Sequence, residues 1–326
     1  MSMLLPPFEL HQPTSVKEAI DLKARHPESD FIAGGTDLLP NYKWGLNTRK
    51  HVISLARVDE MRELSTTRIG ALVTLTQIEK SGLLASSLPI LPETARQIAT
   101  PLLRNTATLG GNLMLENRCF FFNQTYLWRK SIDFCLKADG EQCHVVPQKE
   151  KCYATFSADM PAALMALGAT MDLASTRGTR TVGLAGVYNG PDGIHRLSKE
   201  PDEMVTGVNI PADATQWRAT YKKLRLRDSF DFPELGIAAA VRFESGRIKG
   251  FRLVANALEN VPVVLDDLGA SVMDQPLTEE SIQRIAKEAE ARVRPVKNTN
   301  LPPSYRKAMT RVYTERALRE LAAGAT

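Results

Sequence analysis

The sequence predicts an α+β protein, on three observations. Strand-like and helix-like segments alternate through its first two-thirds. Two long apolar runs then flank Ser245-Gly246, the pattern of a β-hairpin. Two helical patterns close the chain. Its 326 residues predict two or three domains, because single cores rarely grow past about 250–300 residues. Hydrophobic residues make up 43% and charged residues 24%, which is enough apolar surface for a packed core.

Taken in order, "TSVKEAIDLKARHP" reads as a helix. Ser15 and Glu18 have capping-box spacing, and Ala19, Ile20 and Leu22 lead its apolar face. Phe31 and Ile32 read as a short buried strand, broken by Gly34-Gly35, with a turn at Thr36-Asp37. "HVISLARV" reads as a strand, and "TRIGALVTLTQIEKS" as a strand followed by a helix. "LPILPETARQIATP" reads as a helix with Pro92 and Glu93 at its start, and "LLRNTATLGGNLM" as a loop with paired glycines. Residues 161–168 read as a helix. A strand follows from Ala169, then a turn at Arg177-Gly178 and a partner strand. "DEMVTGVNIP" is a further strand, closed by Pro211. A second unit begins near Trp217. It holds the strand "WRATYKKLRL", the hairpin, a helix capped by Thr278, and a last helix capped by Ser304 and stopped at Gly324. The chain shows no internal repeat and no low-complexity linker.

Net charge is +4 and the isoelectric point about 8.8. The basic residues are evenly spread, with no run interleaved with aromatics, so nucleic acid is not an expected partner. No stretch reaches about 18 consecutive apolar residues, so no membrane span is expected. The opening "MSMLLPPFELHQPTS" lacks the cationic and apolar regions of a signal peptide. The expected location is cytoplasmic and reducing, where clustered cysteines serve as metal ligands or redox groups more often than as disulfides.

Four features could carry chemistry. In "IAGGTDLL" two glycines after a strand let backbone N–H groups converge on an anion such as a pyrophosphate, with Thr36 adding a hydroxyl. The same residues fit a plain turn. "ATLGGNL" has the same character, with Thr108 and Asn112 as polar contacts. Two such loops point to a long ligand gripped twice. Asp159, just before Pro161, reads either as an acceptor for a ligand hydroxyl or as an ordinary acid at a helix start. The fourth feature is the segment from Cys119 to Cys152, which holds all four cysteines, spaced C-x15-C-x7-C-x8-C. It has neither the close pairs of a zinc ribbon nor the tight runs of bacterial ferredoxins. Four thiolates suit Zn(Cys)4 and an iron–sulfur cluster equally, with disulfides or free thiols as the remaining reading. The segment is polar, so a metal staple would explain how it orders. His144 beside Cys143 reads as an incidental neighbour rather than a further ligand. No H-E-x-x-H, G-x-S-x-G or P-loop motif is present. The chain reads as a holder of cofactors.

In sequence, "IAGGTDLLP", "IATPLLRNTATLGGNL", "SADMPAALMALGATMDL" and "YKKLRLRDSFDFP" resemble the FAD-binding medium subunit of the xanthine dehydrogenase family of molybdenum hydroxylases. The resemblance covers nearly the whole chain. It implies an FAD-binding domain over 1–215, made of two α/β subdomains, and a C-terminal α+β domain over 216–326. It also implies roles for single residues. Ile32, Ala33, Gly34, Gly35, Thr36, Asp37, Leu38 and Leu39 would cradle the FAD pyrophosphate. Ala107, Thr108, Leu109, Gly110, Gly111 and Asn112 would form a second grip. Ile98 would pack on the flavin, Asp159 would accept a hydrogen bond from the cofactor, and Lys223 or Lys222 would reach the isoalloxazine.

Most of the family runs almost directly from the second glycine loop to the Asp-Pro helix. Here residues 116–155 intervene. This insertion resembles that of the β subunit of 4-hydroxybenzoyl-CoA reductase, which binds an extra 4Fe-4S cluster. A differently spaced insertion occurs in the flavin subunit of some bacterial aldehyde oxidoreductases. The resemblance implies that Cys119, Cys135, Cys143 and Cys152 ligate a 4Fe-4S cluster. It further implies a large molybdopterin subunit and a small 2Fe-2S subunit as partners, assembled as a dimer of heterotrimers. Electrons would pass from ferredoxin through the cluster and FAD to the molybdenum subunit, where 4-hydroxybenzoyl-CoA loses its hydroxyl. The rival readings are the flavin subunit of an aldehyde oxidoreductase or of an N-heterocycle or xanthine-type dehydrogenase and, outside enzymes, a zinc-stapled binding module.

Overall fold

A computed structural model describes residues 4–323, so the expected stop at Gly324 lies outside the described residues. The chain opens with β1 (Glu9–His11), α1 (Val16–Arg25), β2 (Asp30–Ile32), α2 (Leu38–Lys43) and β3 (His51–Ser54). The three strands form a parallel sheet in the order β1-β3-β2. α1 begins where expected, with Ser15 Oγ accepting from Glu18 N at 3.1 Å. The Glu18 carboxylate instead takes the N–H and hydroxyl of Thr14, at 2.8 and 3.2 Å. The reciprocal half of the capping box is therefore shifted outward by one residue.

Next come β4 (Arg68–Gly70), α3 (Leu75–Glu79), α4 (Gly82–Ser87), α5 (Ile90–Arg96), α6 (Pro101–Arg104) and α7 (Leu109–Leu113). α5 starts before its expected position, so Pro92 and Glu93 sit inside its first turn. The second glycine pair does not lie in a loop. Thr100 and Thr108 cap two short helices, each through its hydroxyl, and Gly110 and Gly111 fall in the first turn of α7. The cysteine segment carries one short helix, α8 (Tyr126–Ser131), and leads to α9 (Met160–Ala166). β5 (Thr170–Ser175), β6 (Gly178–Gly183), α10 (Leu184–Val187) and β7 (Met204–Asn209) follow. They complete an antiparallel sheet in the order β4-β7-β5-β6. One apolar core runs beneath this sheet and α9, every residue of which is buried.

The last unit is the meander β8 (Arg218–Leu224), β9 (Leu235–Glu244), β10 (Arg247–Asn256) and β11 (Val263–Val264), then α11 (Glu279–Arg292) and α12 (Pro303–Ala323). The β9–β10 turn falls at Ser245-Gly246, both at positive φ (49° and 74°), as a tight hairpin turn demands. Thr278 caps α11. α12 starts at Pro303, so Ser304 lies inside its first turn rather than capping it. A second core fills the space between this sheet and the two helices. No helix among the described residues is long and apolar enough to cross a membrane.

Candidate functional site: a glycine cleft beside four cysteines

β2 ends at Ile32 and the chain leaves the sheet through Gly34-Gly35, at the carboxyl edge where open parallel sheets bind ligands. Gly34 lies against the backbone of the second loop, where a Cβ would overlap the carbonyl oxygen of Thr106. Gly35 has φ +69°, and its Cα faces the methyls of Ile32 and Leu39. The second loop is held from behind. Leu75 N donates to Ala107 O at 2.9 Å, and Gly110 N donates to Ala71 O at 2.8 Å. The two loops therefore touch, and they form the floor of a cleft of about 440 Å³.

Ile32, Ala33, Gly34, Gly35, Thr36, Asp37, Leu38, Ile98, Ala107, Thr108, Gly111 and Asn112 line this cleft. Leu39, Leu109 and Gly110 lie behind it. Leu39 packs under Gly35, Leu109 is wholly buried, and Gly110 abuts Ala71. Asp159 and Lys223 are not part of the lining. Their side chains are 3% and 0% exposed and pair at 3.1 Å. The Asp159 carboxylate also accepts from Tyr221 Oη at 2.7 Å, while Lys223 Nζ donates to Gln97 O at 2.9 Å. In this structure the two side chains expected to contact the cofactor pair with each other. Lys223 reaches the cleft only through the backbone beside Ile98. Lys222 points to the other side of β8 and pairs with Glu320. Burial pushes the Asp159 carboxyl up, opposed by the Lys223 charge and the Tyr221 hydroxyl.

The lining also includes residues that the sequence does not mark as site residues, among them Asp30, Glu116 and Phe122. Asp30 was legible as the residue opening β2. Phe122 was not, because nothing in "CFFFNQ" separates it from Phe120 and Phe121. The fold does: Phe120 is exposed and Phe122 is 1% exposed.

The insertion is closed at its base. Arg118 and Thr155 exchange backbone hydrogen bonds at 3.4 and 3.1 Å, and Asn117 Nδ2 donates to Ala154 O at 3.1 Å. Buried Arg129 ties it to the first subdomain through the carbonyls of Trp44 and Gly45, at 3.1 and 3.3 Å. Gly140 lets its loop fold over Cys135, since a Cβ would stand 2.5 Å from Cys135 N. Inside, the four cysteines line one small cavity with Phe121, Leu136, Lys137, His144 and Val145. All four thiols are free of disulfides. Burial pushes Cys119 up to about 11 and Cys152 up to about 12, and the neighbouring thiols add to both. A bound cation would invert that logic. His144 lines the cavity, but its Nε2 contacts the Phe134 carbonyl at 2.5 Å.

The cavity and the cleft share a wall. Phe122 lines the cleft and packs in one apolar cluster with Cys119, Cys135 and Leu46. Arg118, next to Cys119, pairs with Asp37 of the first glycine loop.

Residues 6–213 match the family described as the FAD binding domain in molybdopterin dehydrogenase. Residues 219–321 match the CO dehydrogenase flavoprotein C-terminal domain. The aldehyde oxidoreductase FAD-binding subunit PaoB of Escherichia coli (strain K12) is 30% identical over 254 residues, 74% of this chain and 80% of that protein. The carbon monoxide dehydrogenase medium chain of Afipia carboxidovorans is 27% identical and covers 95% of each chain. Among solved structures, carbon monoxide dehydrogenase from Hydrogenophaga pseudoflava superposes with TM-score 0.79, at 25% identity over 99% of both chains. The glycine floor fits FAD, because glycines without a Cβ let the two backbone loops close on each other as the floor of a cleft lined by backbone and Thr36 and Thr108. By that fit and these likenesses, the chain belongs to the FAD-binding flavoprotein subunits of the molybdopterin dehydrogenase family.

Proposed function

We propose that this chain carries FAD and a 4Fe-4S cluster as the electron-transfer subunit of a molybdenum enzyme of the 4-hydroxybenzoyl-CoA reductase type. It would work beside a large molybdopterin subunit and a small 2Fe-2S subunit, with ferredoxin as the electron donor. One observation carries the reading: three buried cysteines and the half-buried Cys119 line a single cavity, and Phe122 and Leu46, which line the flavin cleft, pack in one apolar cluster with Cys119 and Cys135. The two glycine loops would hold FAD, which supplies one- and two-electron exchange. The four cysteines would hold the cluster, which supplies single-electron transfer.

The spread of the thiols favours a cluster over zinc. A lone zinc ion at Zn–S distances of about 2.3 Å draws four sulfurs to about 3.8 Å from one another. Among the described residues, no three cysteine sulfurs lie within 4.8 Å of one another. A cubane of several irons needs the wider arrangement. Phe122 keeps water out of the partition, and the Arg118–Asp37 pair holds the start of the insertion against the first glycine loop.

The Cys135→Ser variant is expected to lose about four irons per chain and its low-temperature cluster signal after dithionite, while keeping flavin. Iron analysis and electron paramagnetic resonance check this, and normal iron content would overturn the ligand set. Phe122→Ala is expected to cost about 3–5 kcal/mol and to speed loss of iron in air, followed by bleaching of the visible spectrum. A second reading, the flavin subunit of an aldehyde oxidoreductase, is favoured by the 30% identity to PaoB. Co-expression with the partner subunits separates the two. Conversion of 4-hydroxybenzoyl-CoA to benzoyl-CoA with reduced viologen supports the first reading, and aldehyde oxidation without it supports the second.

A further inference from the structure

We infer that Glu9, His11, His26 and His51 form a binding site for one divalent transition-metal ion, on a face of the parallel sheet that belongs to neither the flavin cleft nor the cysteine cavity. The chain has five histidines, and three of them meet here from three separate elements. His11 ends β1, His26 is the C-cap of α1, and His51 opens β3. The sheet register explains why they meet. Glu9 stands opposite His51 in the parallel β1–β3 ladder, and His11 lies two residues on, so all three project from one face. α1 then delivers His26 on to that face, where its ring stacks on His51 at 4.1 Å and on His11 at 4.7 Å between centroids.

The donor atoms converge. One nitrogen from each ring lies within 4.8 Å of the others. His11 Nε2 and His51 Nδ1 are 3.2 Å apart. Two imidazole nitrogens at that separation share at most one proton, so at least one lone pair faces into the cluster. Tetrahedral zinc with Zn–N of about 2.0–2.1 Å sets nitrogens about 3.4 Å apart, close to the spacing already present. Glu9 supplies an oxygen on the same side. Its two carboxylate oxygens lie 3.6 Å from His11 Nε2 and 3.5 Å from His51 Nδ1. Three imidazoles and one carboxylate suit zinc, nickel or copper, and not calcium or magnesium, which take oxygen ligands. The His11 and His51 side chains are 13% and 30% exposed, so an ion can enter while the rings stay held. None of the four residues lines the flavin cleft or the cysteine cavity. A bound ion would pin the short edge strand β1 and the end of α1 to β3.

Cobalt(II) as the probe separates this site from the cysteines, because a thiolate ligand adds an intense near-ultraviolet charge-transfer band that imidazole and carboxylate do not. The untagged full-length chain is titrated with Co2+ and followed by absorption, with zinc competition. The expected result is one equivalent with visible bands only, displaced by Zn2+, retained in Cys135→Ser and lost in His51→Asn and in His26→Gln. Flavin content of the histidine variants reports that they have folded. Zinc should also raise the unfolding temperature of the parent chain and leave that of His51→Asn unmoved. Uptake that survives in both histidine variants, uptake that disappears in Cys135→Ser, or no uptake by the parent chain would each overturn the site.

Discussion

Replacing Gly34 with alanine is expected to strip the chain of FAD. The methyl would overlap the Thr106 carbonyl oxygen and crowd Ala107 N at 3.2 Å. Both are backbone atoms, and neither can swing aside as a side chain end would. Thr106 is fixed by its N–H to Leu103 O at 3.1 Å and Ala107 by its N–H to Leu103 O at 2.8 Å, so the two glycine loops must part. Overpacking of this kind costs about 1–3 kcal/mol where neighbours can yield, and more where they cannot. Because the strained contact is the floor of the cleft, the loss falls on cofactor affinity as well as on stability. A graded series tests the cause. At Gly110 the added carbon would stand 2.8 Å from Ala71 Cβ and 2.9 Å from Ala71 O, so Gly110→Ala should weaken binding less. At Gly111 it meets only Thr108 Oγ1 at 3.3 Å, so Gly111→Ala should retain most of the flavin. The flavin-to-protein absorbance ratio after purification reads the series. Full flavin in Gly34→Ala would mean that the loops separate freely and that their contact does not shape the cleft.

The same glycines show how far the sequence was legible. Local rules found Gly34-Gly35, Thr278 and the Ser245-Gly246 turn, because each depends on residues a few positions apart. They misplaced Gly110-Gly111, since a threonine cap makes a helix of a stretch whose glycines argue for a loop. They marked four clustered cysteines, yet could not say that the sulfurs share one cavity. Nor could they single out Phe122 from its two neighbours as the phenylalanine that lines the cleft and packs beside Cys119 and Cys135. The histidine cluster joins positions up to 40 residues apart, through a parallel register that no short window contains. What the sequence withheld was mostly pairing at long range. Asp159 and Lys223 are the plainest case: they lie 64 residues apart in sequence and pair at 3.1 Å, a contact no local pattern contains.

Lys223→Met is expected to destabilise the chain by about 3–5 kcal/mol at neutral pH, the cost of leaving one partner of a buried ion pair without the other. Methionine nearly matches the lysine stem in volume, so the lost charge and hydrogen bonds dominate over a cavity. Asp159 would keep only Tyr221 Oη as a donor, and Gln97 O would lose its ammonium partner, loosening the backbone next to Ile98 in the cleft wall. The deficit should depend on pH in a definite direction. Burial already raises the Asp159 carboxyl, and without the ammonium it rises further. A carboxyl whose folded value lies above its unfolded value of about 3.9 costs nothing below that unfolded value. It costs progressively more as pH rises through the folded one. The variant should therefore approach the parent in stability as pH falls, while the parent itself weakens through its other carboxylates. Adding Asp159→Asn should recover much of the loss at neutral pH, because the stranded charge is gone while Tyr221 keeps an acceptor. Urea unfolding of the two single variants and the double variant at two pH values closes the cycle. A Lys223→Met chain as stable as the parent at neutral pH would mean that Asp159 is already protonated in the native fold. The pair would then be a neutral carboxyl hydrogen-bonded to its neighbours, and its hold on the cleft wall would run through Gln97 alone.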